Sequence, residues 1–207
     1  MQAARDTTKV IRSSITVNDW LRQTPTVDEV RPAACVGCGA AGRPVGAPLG
    51  LHGHGLKARQ LRGPPSPGES PRDMVINARR YECQRCFAIL TVVPSETAPR
   101  RHYSACAIAF ALGLYGLCNQ TQAEVRAQVC SAQVVGAPDE RRWITLPRWI
   151  DAASERRLFP SVPTIPSDQG RRAIAERAAM AIGANAPPTQ QAGAPAARAF
   201  FGAAHMK

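Results

Sequence analysis

Four of the seven cysteines stand in two C-x-x-C pairs, Cys35/Cys38 and Cys83/Cys86. Each pair can fold into a tight knuckle whose backbone N–H groups point at the thiolates, and two knuckles supply the four soft ligands that a tetrahedral zinc ion takes. Four thiolates leave no open coordination position, so the spacing predicts one structural Zn2+ and no catalytic metal. The competing reading is two unrelated redox or buried pairs. Gly37 and Gly39 suit the first knuckle because such turns often need positive φ, whereas the second knuckle has Phe87 where a glycine often stands. His52 and His54 are rival ligands or the residues of a hairpin tip. Cys106, Cys118 and Cys130 fall in helical segments and read as small buried apolar residues.

The ligands must be brought together across 44 intervening residues, more than the usual ~15–20. Residues 74–82 and 87–93 read as strands with Cys83-Gln84-Arg85-Cys86 as the turn between them. The second run, rich in β-branched residues, stops at Pro94. Residues 49–61 read as a further hairpin with Gly53 and Gly55 near its tip, and Gly63-Pro64-Pro65-Ser66-Pro67-Gly68 as a loop. A β-module this small buries little apolar surface, and metal binding would supply its folding free energy.

Helix signals follow. Ser104 can cap an apolar helix over 105–117, and Thr121 with Glu124 forms a capping box for a helix near 122–130. Thr145 can cap a third helix, in which Leu146, Trp149, Ile150 and Ala153 share one face and Pro147 falls in the first turn. Residues 131–135 read as a short extra helix. Asp168 can cap a helix near 169–182 with Ile174, Ala178 and Ile182 on one side, and 186–197 reads as a mobile linker. The uncharged run 105–118 is shorter than the ~20 residues that span a bilayer and reads as a buried core helix. The expected architecture is α+β: an N-terminal segment (1–34) with a short helix over 17–23 carrying Trp20 and Leu21, a four-cysteine zinc ribbon of β-hairpins (35–95), a helix-turn-helix-like domain (96–160), and a partly disordered tail (161–207).

Lysine and arginine number 26 against 15 acids, a formal charge of +11, and nearly every base is arginine. That balance favours a polyanion, of which nucleic acid is the commonest, although an arginine-biased proteome would give the same composition. The N-terminal residues carry charge and no apolar signal core, so a cytoplasmic protein is expected.

The order of knuckle, basic hairpin, Arg79-Arg80-Tyr81-Glu82-Cys83-Gln84-Arg85-Cys86, then Leu90-Thr91-Val92-Val93-Pro94 and helices, resembles the N-terminal region of insertion-sequence transposases. In those proteins a zinc ribbon precedes a helix-turn-helix. The chain is also similar to a group of short bacterial transposase-like proteins of unknown function that share Leu51-His52-Gly53-His54-Gly55-Leu56, Arg101-His102-Tyr103-Ser104-Ala105 and Leu146-Pro147-Arg148-Trp149. The resemblance covers roughly 35–160. It implies double-stranded DNA as partner, with Lys57, Arg59, Arg62, Arg79 and Arg80 on phosphates and Arg141, Arg142 and Arg148 nearest base edges. The chain departs from a full transposase after Pro160, where Asp168 and Glu176 are the only acids and no βαβ pattern suggests an RNase-H-like domain. Without carboxylates to clamp metal on a scissile phosphate, no catalytic residue is expected. The alternatives are a zinc-ribbon protein-interaction adaptor, in which the ribbon docks on a partner and the helix near 169–182 adds an apolar face, and a truncated transposase fragment.

Overall fold

The computed structural model describes residues 9–98, 101–131, 143–166 and 168–206. The chain divides into two compact units, one made of the residues up to Arg59 with Val75–Thr97, the other of Gln60–Met74 with the residues from Ala98 onward.

The strand-forming runs become a sheet whose strands lie mostly in the first unit. β1 is Lys9–Arg12, β2 Leu51–Gly63, β3 Arg72–Cys83 and β4 Ile89–Val93, in the order β1-β4-β3-β2. β3 and β4 pair antiparallel, Arg79 opposite Val92 and Glu82 opposite Ile89, with the second C-x-x-C as their turn, as the sequence predicts. β1 adds in parallel, Lys9 opposite Leu90 and Arg12 opposite Val93, and is absent from the sequence reading. Residues 51–63 form one strand rather than a hairpin of their own: the Pro-rich loop after Gly63 is the tip, and β2 pairs with β3. Burial along β3 alternates over Met74, Ile76 and Ala78 and then shifts by one position to Tyr81 and Cys83.

The segment before the first knuckle belongs to this unit. Helix α1 (Val17–Arg22) is capped by Thr16, whose hydroxyl accepts the Asp19 N–H. Trp20 is buried and donates its indole N–H to the Asn77 carbonyl at 3.0 Å, while Leu21, expected as a second apolar contact, is exposed. Residues 25–31 lie over the sheet. The Pro25 carbonyl accepts from Arg79 at 2.6 Å and the Val27 carbonyl from the Tyr81 hydroxyl at 2.6 Å, and Arg31 donates to the Leu51 carbonyl with its guanidinium 5.6 Å from the centre of the Tyr81 ring. The core combines Trp20, Val30, Leu51, Ile76, Tyr81, Leu90 and Val92 with Cys35 and Cys83.

The second unit is organised around α2 (Ala105–Gly116), whose residues from Ala105 through Leu114 are all buried. Ser104 caps it as expected, accepting the Ala107 N–H at 2.9 Å. No described helix is long and apolar enough to cross a membrane. α3 (Gln122–Val129) starts at the predicted capping box, with Thr121 and Glu124 satisfying each other's backbone N–H. α4 (Thr145–Ser154) buries Leu146, Trp149, Ile150 and Ala153, but Thr145 lies inside it; the capping position is Ile144, with no side-chain cap. α5 (Arg171–Gly183) likewise begins after Gly170 and not after Asp168.

Where a linker and a partly disordered tail are expected, the described residues form further helical turns. A 3-10 turn (Pro188–Gln190) leads to α6 (Pro195–His205), which buries Ala196, Ala199, Phe200 and Ala203, and the Phe200 ring meets Phe110 edge-on at 6.0 Å. Glycines let the helices approach closely. A Cβ on Gly113 would lie 2.7 Å from the Ala196 Cα, one on Gly116 would collide with the Glu176 backbone, and one on Gly202 with the Ile182 carbonyl. Arg172 closes the turn after α2 by donating to the Tyr115 and Gln120 carbonyls while stacking 4.2 Å from the Tyr115 ring centre. α3 and α4 are separated by residues 130–144, far beyond the 3–4-residue turn of a helix-turn-helix, and the extra helix expected at 131–135 falls almost wholly outside the described residues.

Candidate metal centre

The two knuckles have the same backbone plan. In the first, the Cys35 N–H donates to the Ala40 carbonyl at 2.8 Å and the Gly39 N–H to the Cys35 carbonyl at 2.8 Å; in the second, Cys83 donates to Ala88 at 3.1 Å and Phe87 to Cys83 at 2.9 Å. Cys35-Val36-Gly37-Cys38-Gly39-Ala40 thus corresponds position by position to Cys83-Gln84-Arg85-Cys86-Phe87-Ala88. The residue after each second cysteine is left-handed, Gly39 at φ 74° and Phe87 at φ 57°. Gly37 is not left-handed, and a Cβ there would find only ordinary contacts with Ala88, Cys35 and Cys86 at 3.6–3.7 Å. Only Gly39 meets the conformational requirement expected of both glycines.

The knuckles converge. The Sγ atoms of Cys35 and Cys86 are 3.7 Å apart, as are those of Cys38 and Cys83, and all four lie within 4.8 Å of one another. These separations are far too long for a disulfide, whose S–S distance is about 2.05 Å. They are close to the ~3.8 Å edge of a tetrahedron built on 2.3 Å metal–sulfur bonds. The Gly37 N–H points at Cys35 Sγ at 3.3 Å, a donor that favours thiolate. Burial pushes the Cys83 thiol up, but the amide N–H groups of Cys86 and Arg85 and the thiols of Cys86 and Cys35 outweigh it and bring Cys83 down to about 7. Cys86 goes the other way: the Ala88 N–H lowers it, yet desolvation and the three neighbouring thiols push it up to about 12. The first thiolate in the cluster is stabilised by its neighbours and the last is opposed by accumulated negative charge, which a divalent cation would neutralise.

Among the described residues these four cysteines are the one group of His, Cys, Asp or Glu side chains able to hold a metal ion. His52 and His54 stand on β2, both exposed and not at a hairpin tip; His54 lies 3.5 Å from Glu82. Cys106 is buried as expected, Cys130 is half-buried and accepts the Tyr103 hydroxyl at 3.1 Å, and Cys118 is exposed, contrary to expectation. No family model, curated protein or solved structure matches this chain.

The basic residues expected to meet DNA separate into groups. Arg79 is tied to the Pro25 carbonyl, and Arg62 lies 3.4 Å from Asp73 while its backbone bonds His102 and Ser104, so both take part in holding the fold. Arg59 is half-buried, and burial lowers its pKa. Lys57 and Arg148 are exposed and Arg80 is half-buried. Arg141 and Arg142 lie outside the described residues. The sequence reading missed Arg31, whose spacing from Asp28 (2.9 Å in the ion pair) was its only available signal.

Proposed function

We propose that Cys35, Cys38, Cys83 and Cys86 hold one structural zinc ion, that the first unit is a zinc ribbon, and that the chain is a non-catalytic DNA-binding protein. The observation that carries the reading is the convergence of four sulfur atoms within 4.8 Å on two matching knuckles. Four thiolates suit zinc in a closed, structural site, where the ion would cross-link the knuckle that precedes β2 to the β3–β4 turn. DNA as partner is supported by the charge of +11 and by the cations on the hairpin and on α4. Lys57, Arg59 and Arg80 would contact phosphates. Arg148, exposed near the N-terminal end of α4 in the helix-turn-helix-like part, would approach base edges. The role is that of the DNA-recognition part of a transposase, in a mobile element or in regulation.

Metal analysis of purified protein should return about one zinc per chain, and titration of a labelled duplex at low salt should give saturable binding. Metal-free protein that remains folded in chelator would overturn the zinc assignment, and absence of duplex binding at low salt would overturn the DNA assignment. The adaptor alternative would rest on the ribbon as the docking surface, since Ile174, Ala178 and Ile182 on α5 are buried within the helical unit.

A further inference from the structure

The two knuckles differ in one position that matters to both energy and exposure. Gly39 takes the left-handed conformation at no steric cost, and nothing lies within 4 Å of where its Cβ would be. At the equivalent place the second knuckle carries Phe87, at φ 57° and 71% exposed. An aromatic residue pays twice there: the left-handed backbone disfavours any Cβ-bearing residue, and the ring forgoes burial. Gly would serve the metal site better, so the ring serves something outside the fold. Its surroundings indicate what. Gln84, Arg85 and Cys86 are all exposed, and Arg85 has no acidic partner among the described residues. The knuckle therefore presents an aromatic face, a guanidinium and a carboxamide within four consecutive residues.

We infer that Phe87, with Arg85 and Gln84 beside it, is a stacking platform for an unpaired base of single-stranded DNA. A flat ring takes any base on its π-face, the guanidinium meets the adjoining phosphate, and the carboxamide offers a donor and an acceptor to a base edge. An apolar protein surface would also accept a phenyl ring, but it would leave Arg85 desolvated and unpaired, whereas a nucleotide satisfies both groups. The platform deepens the DNA-binding reading: it adds a subsite for unpaired strand to a protein whose duplex contacts lie elsewhere.

The test uses full-length, zinc-loaded protein, with a labelled oligo-dT 15-mer and a labelled duplex as separate probes at low salt. Phe87→Gly should keep its zinc and gain thermal stability, because glycine relieves the left-handed backbone, yet lose roughly 5- to 100-fold in affinity for oligo-dT. Duplex affinity should be unchanged, and Phe87→Trp should retain oligo-dT binding. Arg85→Ala should lower the salt dependence for oligo-dT by about 0.7 in slope. Equal oligo-dT binding by wild type and Phe87→Gly, or loss in Phe87→Trp as large as in Phe87→Gly, would overturn the platform and leave the duplex reading intact. So would wild-type protein that binds duplex but no oligo-dT, an outcome that favours an apolar protein partner. Tighter binding of an oligo-rU of the same length would overturn the choice of DNA. Failure of both probes would overturn the platform together with the DNA-binding reading.

Discussion

Cys83 is buried within the cluster, and its removal tests the site directly. Cys83→Ser should lower zinc content well below one per chain and melt the first unit, while far-UV circular dichroism retains the helical signal of α2 to α6. Retention of a full zinc equivalent would refute the ligand set. A second residue-scale test concerns Glu96, whose carboxylate accepts the Val17 N–H at 2.7 Å at the start of α1. Burial raises its pKa above the ordinary 4.5, against the pull of that N–H and of Ser95. The folded state therefore holds the Glu96 proton more tightly than the unfolded chain does. The cost of ionising it is absent below about pH 4.5, grows as pH rises toward the folded pKa, and is complete only above it. Glu96→Gln should therefore raise the melting temperature at pH 7, and the gain should shrink toward zero as pH falls below the carboxylate range. An advantage independent of pH would show that the buried charge is not its source. These residue-scale features were unequally legible. The ligand set could be read from spacing alone because C-x-x-C fixes a local turn. Arg79 could not be: its guanidinium meets the Pro25 carbonyl through a contact 54 residues distant, which no local pattern announces.

At the scale of elements, what could be read was local and what escaped was long-range. The β3–β4 hairpin, the caps of α2 and α3 and the buried face of α4 each follow from residues a few positions apart. β1 was not legible because a four-residue strand in parallel pairing depends on a partner some eighty positions away. α6 was hidden by composition: Pro, Ala, Gly and Gln around 186–197 resemble a linker, yet alanine and glycine are what a close helix contact selects. Gly113→Ala separates these two views of a small residue. Helix propensity alone would favour alanine by about 1 kcal/mol. The Cβ would instead lie 2.7 Å from the Ala196 Cα and force α6 away, so the net effect should be destabilisation of about 1–3 kcal/mol in chemical denaturation. A stabilised variant would mean that α6 does not rest on α2 at that point. For comparison, Thr121→Ala should cost about 1 kcal/mol, the ordinary loss of a helix N-cap.

For the whole molecule, the charge of +11 would give the proposed DNA binding a mainly electrostatic character. Lys57, Arg59 and Arg80 are the proposed phosphate contacts and Arg148 the proposed base contact, while Arg62 and Arg79 are bonded within the fold. At about −0.9 per phosphate contact, the three phosphate contacts give a slope near −2.7, and a fourfold rise in salt should weaken duplex binding about 40-fold. Lys57→Ala should reduce the slope by about one without changing the melting temperature. Arg79→Ala should do the reverse, lowering stability with little change in slope. The same slope for both variants would show that burial and bonding of Arg79 do not withdraw it from the surface. The central place of α2 has a further consequence, one that concerns synthesis. A segment with every residue from Ala105 through Leu114 buried leaves the ribosome long before Pro195–His205, which covers it, has been made. At roughly 5–20 residues per second the nascent chain exposes this apolar run for several seconds. A ribosome stalled before α6 should therefore hold a chain that recruits chaperones or aggregates, while one allowed to run through residue 206 should release a protein that has already hidden its most adhesive stretch.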